Sequence, residues 1–127
     1  AGPLVAAGVL FDYDALTTGD SSLSACVQCI VAAEIGSHRR ALEYFTYALL
    51  MDLANVAGNA SDGVHVASAA GVWMALVYGF GGVRDFDGDL SFDPALPSSW
   101  ESLAFALRKV APLRDVKWLC SSSHLGP

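Results

Sequence analysis

Apolar residues recur at helical spacing through the first two thirds of the chain. Between residues 38 and 56 they fall at i, i+3, i+4 and i+7, which is typical of an amphipathic helix. From residue 22 to 35 they cover nearly the whole helical surface, which indicates a buried helix ending at Gly36. A third apolar stretch runs from 64 to 77, with Trp73 as an expected core residue. The pattern predicts three helices, the first two forming an αα-hairpin.

The periodicity changes after the glycine-rich break at residues 78–82. Short alternating runs flank Asp87-Gly88, which predicts a β-hairpin. Residues 98–101 have the form of a capping box and favour a helix, whereas the alternation in 103–107 favours a strand. The residues alone do not decide between the two. Residues 112–127, with three consecutive serines, predict a loosely packed tail.

Composition narrows the class of protein. The chain has 127 residues, enough for one domain, and starts without Met, which suggests a fragment or a processed start. Its hydrophobic fraction is 54%, much of it alanine and glycine, as in crowded helical layers. The longest apolar run is too short to span a membrane, and the first residues lack the basic region of a signal peptide. A net charge of −6 argues against nucleic acid as a partner.

The three cysteines have two interpretations. Cys26 and Cys29 lie one helical turn apart, as a redox or metal pair would, but they also suit a buried helix as small hydrophobic residues. We favour the second interpretation, because pairing them with Cys120 and His124 matches no standard zinc spacing. We therefore predict no metal and no cofactor. The odd cysteine count fits a reducing, cytoplasmic setting.

Two polar loops run directly into apolar helices, at Thr17–Ser24 and at Gly58–Gly63. A helix start carries unpaired N–H groups and a partial positive charge, which suit an anion. His65 follows the second loop, where it is either an ordinary surface histidine or part of an anion site. The same design at both helix starts favours the anion site.

These segments also carry a family resemblance. Tyr13–Ser24, Asp62–Ser68 and Tyr78–Arg84 occur in an order that resembles glycoside hydrolase family 65, which includes the maltose, trehalose and kojibiose phosphorylases. The resemblance covers about residues 11 to 109. It implies a mainly α fold: residues 1–82 as the last helices of an (α/α)6 barrel and 83–111 as the first strands of a C-terminal β-sandwich. It also implies a strand at 103–107, exposed packing faces on the barrel segment, and a tail at 112–127 that leaves the family pattern.

The resemblance further implies an inverting phosphorylase, in which a glutamic acid protonates the glycosidic oxygen and phosphate attacks from the opposite face. The phosphate ligands it implies are Ser21, Ser22 and His65, with Gly71 as a candidate backbone contributor. The family's general acid lies upstream of the matched segment, so no catalytic residue is assigned here. The expected partners are a disaccharide, inorganic phosphate as co-substrate and the rest of the barrel. A homodimer of the full-length enzyme is one option.

Two other functions remain open at this point. The family also includes hydrolases, which use water and need a catalytic base in place of phosphate ligands. A segment without a general acid could instead be a non-catalytic helical remnant or interaction module. The presence of Ser21, Ser22 and His65 favours phosphorolysis, because a hydrolase would have a base in place of these ligands. Hydroxyls and backbone N–H groups bind phosphate without a net positive charge.

Overall fold

A computed structural model of the chain describes residue 16 and residues 21–86, 89–110 and 113–121. Helices occupy the first part of this range and antiparallel strands the last, so the predicted fold class is confirmed. In chain order the elements are α1 (Ser22–Glu34), α2 (His38–Leu53), a 3-10 turn (Ala60–Asp62), α3 (Val66–Met74), a π-helix (Ala75–Phe80), β1 (Val83–Phe86), β2 (Asp89–Phe92), β3 (Ser102–Val110) and β4 (Leu113–Ser121).

The predicted αα-hairpin is formed by α1 and α2. Gly36 ends α1 at a positive φ of 78°, and its N–H donates to the Ala33 carbonyl at 3.0 Å. Glycine suits this position because it has no Cβ to clash in the left-handed region. Helix α2 ends at Leu53, three residues before the predicted Val56, and turns follow as far as residue 57.

Small side chains fill the contact between the first two helices. Ala32 and Ala41 are fully buried, and Cys29 is equally inaccessible, so the backbones pack closely. Larger rings close one side of this core, where Phe45 lies edge-on to both Phe80 and Trp100, with ring centroids 5.4 and 5.7 Å away. The helical layer is thereby joined to the segment that leads into the strands.

Helix α3 and the π-helix run in the same direction as α1. A Cβ built on Gly71 would lie 2.6 Å from Cys26 Sγ, whereas one on Gly79 would lie 3.4 Å from the Ile30 backbone. Residues later in the segment from α3 to the π-helix therefore contact residues later in α1. It follows that α1 and α3 begin at the same end of the layer.

Trp73 is not the core residue that we expected. It is 47% exposed, and its ring meets Tyr78 edge-on at 6.3 Å. Gly71 faces α1, and two residues along a helix turn the side chain by about 200°. Trp73 consequently points away from α1.

The end of the third helix also differs from the prediction. We expected the helix to stop at Val77, but it continues as a π-helix to Phe80, with the Gly81 N–H donating to the Leu76 carbonyl at 2.8 Å. Arg84 supports this segment by donating from Nη1 to the Tyr78 carbonyl at 2.7 Å, while its Nη2 lies 3.6 Å from Glu34 Oε2.

Two antiparallel hairpins follow. The first, predicted at 83–92, is confirmed by the register Val83↔Phe92 and Phe86↔Asp89; Asp87 and Gly88 lie outside the described residues. In the second, β3 pairs with β4 from Ser102↔Ser121 to Val110↔Leu113. The strand alternative therefore holds after residue 101. The capping-box alternative is wrong, since residues 98–99 form a turn.

The prediction of a loosely packed tail is wrong for residues 113–121. They form β4, in which Cys120 is buried and the Trp118 ring stacks on Phe92 at 4.0 Å. The prediction relied on the serine run at residues 121–123, whereas residues 113–121 contain one serine and are ordered by pairing with β3. Residues 122–127, including His124, lie outside the described residues, as do residues 1–15 and 17–20.

Candidate functional site

Three helix ends meet at one end of the layer. Helices α1 and α3 start there because they run in parallel, and α2 finishes there because it runs antiparallel to α1. A hydrogen bond between Asp52 in the last turn of α2 and His65 before α3 confirms that these two ends are adjacent. This end of the layer therefore carries Ser21, Ser22 and His65 together.

Ser21 caps the start of α1. Its backbone is extended, its Oγ accepts from the Leu23 N–H at 3.3 Å, and its carbonyl accepts from the Ser24 N–H at 2.9 Å. Ser21 is exposed and Ser22 is half-buried. Both hydroxyl-bearing residues thus lie at the positive end of the α1 dipole.

His65 occupies the position before the first turn of α3. Its carbonyl accepts the first hydrogen bond of the helix, from the Ala69 N–H at 3.0 Å. The N–H groups of Ala67 and Ser68 come before this bond and so have no carbonyl of the preceding helical turn to donate to. The preceding loop is ordered by its own bonds: Asn55 Oδ1 accepts from the Ala60 N–H at 2.9 Å, and the Asn59 carbonyl accepts from the Asp62 N–H at 3.0 Å.

Asp52 binds His65 with both carboxylate oxygens. Oδ2 accepts from the His65 backbone N–H at 2.9 Å, and Oδ1 lies 2.5 Å from Nδ1. The two side chains keep 25% and 29% of their surface exposed, so the pair lies at the surface of the layer. The side-chain hydrogen bond to His65, assisted by the backbone one, holds the pKa of Asp52 below its ordinary value of 3.8. On the other side of the ring, Asn59 Nδ2 lies 3.3 Å from Nε2.

Gly71 has a packing explanation in the structure. It lies inside α3, where its N–H belongs to the helical ladder, and any side chain there would meet Cys26. Ser68, one turn earlier, is also buried against α1, and its hydroxyl has no hydrogen-bond partner within the described part of the chain. Small residues at these two positions let α1 and α3 approach closely, which brings their starts to one end.

The glutamates that the sequence left unassigned are surface groups. Glu34, Glu43 and Glu101 are all exposed; Glu34 lies near Arg84, and Glu43 pairs with Arg39 at 2.7 Å.

The three cysteines are buried and free. Burial raises the pKa of each thiol, and that of Cys29 reaches about 12 because of burial and the nearby Cys26. These are inert packing thiols rather than nucleophiles. Among the residues that the structure describes, no group of three or more His, Cys, Asp or Glu side chains could hold a metal ion. Likewise, no helix in the described ranges is long and apolar enough to cross a bilayer.

Sequence reasoning missed Asp52 as part of this site, and it placed Asn59 in the anion-binding loop without assigning it a contact with His65. Asp52 carried a usable signal: it is the only charged residue between Leu49 and Leu53. A carboxylate in the last turn of a helix faces the negative end of the dipole, so it needs a partner there. The partner itself, thirteen residues further along, could not be read from helical spacing.

A helical layer followed by antiparallel hairpins is also found in a solved protein, a putative kojibiose phosphorylase from the human microbiome. The two superpose with a TM-score of 0.77 at 27% identity, over 89% of this chain and 16% of that one. Family models match as well: the glycosyl hydrolase family 65 central catalytic domain at residues 5–74 and the C-terminal domain of the same family at 83–108. The chain belongs to glycosyl hydrolase family 65, as its motifs predicted.

Individual relatives agree with this assignment. The chain is 47% identical over 96 residues to an alpha,alpha-trehalose phosphorylase of Geobacillus stearothermophilus, over 76% of this chain and 12% of the relative. It is 40% identical to a kojibiose phosphorylase of Caldanaerobacter subterraneus, over 75% and 12%. The chain therefore spans about an eighth of the length of these relatives.

Proposed function

We propose that this chain is the phosphate-binding segment of an inverting disaccharide phosphorylase. In the complete enzyme it would hold inorganic phosphate while an α-glucosidic disaccharide is cleaved to a sugar 1-phosphate and glucose. The relatives named above are phosphorylases of trehalose and kojibiose, which supports the proposal of a substrate in the same chemical class. Because the chain covers only about an eighth of those relatives, its role is that of one segment within a larger barrel.

The observation that carries the proposal is that two helix starts lie at the same end of the layer, where His65 precedes α3 and is hydrogen-bonded to the end of α2. The N-terminal ends of α1 and α3 both direct partial positive charge to the same end of the layer. The hydroxyls of Ser21 and Ser22 and the ring of His65 add groups that can donate to phosphate oxygens. Local dipoles of this kind bind an anion although the net charge of the chain is −6.

Asp52 is not available as the catalytic base that a family hydrolase needs. Both of its carboxylate oxygens are engaged by His65. No described glutamate is assigned as the general acid, and we propose that the acid comes from another part of the barrel. Three free, buried cysteines accord with a reducing, cytoplasmic location.

A product analysis in a hybrid enzyme tests the proposal. The hybrid is the Geobacillus stearothermophilus trehalose phosphorylase with its matched 96 residues replaced by those of this chain. Incubated with trehalose, it is expected to cleave only when phosphate is added, and NMR of the products should show a β-configured sugar 1-phosphate beside glucose. Inversion follows because phosphate attacks opposite to the leaving group.

Correct folding of the hybrid is checked by circular dichroism and by its elution volume. A folded hybrid that cleaves trehalose equally well without phosphate, releasing only glucose, would contradict the proposal and support a hydrolase. A folded hybrid with no cleavage would support a non-catalytic segment.

A further inference from the structure

The carboxylate of Asp52 determines where the hydrogen atom on the His65 ring lies. An ionised carboxylate can only accept hydrogen bonds, so the 2.5 Å contact between Oδ1 and Nδ1 requires a hydrogen on Nδ1. The lowered pKa of Asp52 agrees with an ionised acceptor. The other oxygen accepts from the backbone N–H of the same residue, which ties the ring to the start of α3.

The second ring nitrogen, Nε2, therefore carries no hydrogen and can accept a hydrogen bond on the side of the ring opposite Asp52. Nε2 lies 3.3 Å from Asn59 Nδ2, so in this structure an amide N–H donates to it. The ring is held between two polar side chains, one from the end of α2 and one from the loop before α3. Neither its rotation nor its tautomer is free.

We propose that Asp52 is a positioning residue for His65, fixing the Nδ1–H form so that phosphate can take the place of the Asn59 amide at Nε2. This inference rests on the proposed function. Hydrogenphosphate fits such a nitrogen in two ways: its own hydroxyl donates to Nε2, or a protonated ring donates to a phosphate oxygen. Each arrangement places one hydrogen between Nε2 and the anion, and each needs Nδ1–H bound to Asp52. Asp52 itself does not touch the phosphate.

Ring-nitrogen NMR of the full 127-residue chain measures this directly. Two-bond ¹H–¹⁵N spectra are expected to show His65 with its hydrogen on Nδ1. Asp52→Asn should shift the ring toward the Nε2–H form, because an amide cannot accept from the backbone N–H and from Nδ1–H as a carboxylate does. Glu43→Gln is the matched control: it removes the same charge from an exposed position of α2 and should leave the spectrum unchanged.

Kinetics in the hybrid enzyme give the second readout. Asp52→Asn is expected to raise the KM for phosphate roughly tenfold or more, which is the lower end of the loss found when the partner that orients a metal-binding histidine is removed. The KM for trehalose and the kcat at saturating phosphate should change much less. Asp52→Glu, which keeps a carboxylate, should recover part of the loss.

The outcomes separate this inference from the function on which it rests. If His65→Ala raises the phosphate KM and Asp52→Asn leaves it within about twofold, the positioning role is wrong and the phosphate site stands. If neither variant changes it, the phosphate site itself is wrong. Should Asp52→Asn not fold, the wild-type spectrum decides, since a His65 ring with its hydrogen on Nε2 overturns the inference.

Discussion

At the scale of single residues, the orientation of His65 depends on its hydrogen bonds with Asp52 and Asn59, which its place in the sequence does not indicate. Sequence reasoning selected His65 because it follows a polar loop at a helix start, and the structure shows it at that start. It could not identify Asp52 as the partner, because that contact depends on how α2 and α3 meet. Gly71 was selected for its backbone, but close packing against Cys26 accounts for it.

Asp52 should make the stability of the chain depend on pH. Its pKa in the folded chain lies below the ordinary value of 3.8. The ionised carboxylate therefore contributes fully to the free energy of unfolding above pH 3.8, and this contribution is lost as the pH falls through the lower pKa of the folded chain. Urea unfolding of wild type and Asp52→Asn should therefore differ more at about pH 6 than at about pH 3. A stability difference that stays constant between these pH values would show that the Asp52–His65 bond does not form.

At the scale of elements, periodicity predicted the helix starts, which depend on local sequence. It missed the π-helix and β4, which depend on contacts with neighbouring elements. Helices α1 and α2 begin at the predicted residues. Ser21 caps the start of α1, and Gly36, with a positive φ, ends it just before α2 begins. The π-helix could not be predicted, since it extends past Gly79 through bonds made by Arg84 and Gly81. The pairing of β4 was missed because it depends on β3.

Gly82 is the residue on which the junction of helix and hairpin depends most. It has a φ of 62°, and a Cβ there would lie 1.7 Å from the Asp93 carbonyl oxygen. Gly36 is a matched control, with a φ of 78° and nothing within 4 Å of its added Cβ. Gly36→Ala should cost about 1–2 kcal/mol through backbone conformation alone, and Gly82→Ala at least about twice that. Urea unfolding of the two variants measures both costs; equal costs would mean that the close approach of Asp93 is wrong.

At the scale of the whole chain, the mainly helical layer and the following strands were predictable. Helical periodicity predicted the layer, alternating runs predicted the first hairpin, and the family motifs predicted both parts. Apolar side chains remain exposed at the end of the helical layer that carries His65: Leu53 is 80% exposed, Val66 74% and Val64 70%. Exposure of this kind is expected where further elements of a larger protein pack, in line with the resemblance. Chain length and composition alone could not have indicated which apolar side chains are exposed.

The account depends most on the claim that His65 binds phosphate, and one measurement tests it directly. Loss of a hydrogen bond to a charged group costs about 1.5–3 kcal/mol, or roughly tenfold to hundredfold in binding. In the hybrid enzyme, His65→Ala is therefore expected to raise the KM for phosphate by that factor and to leave the KM for trehalose nearly unchanged. An unchanged KM for phosphate together with an unchanged rate of phosphorolysis would show that His65 is not a phosphate ligand.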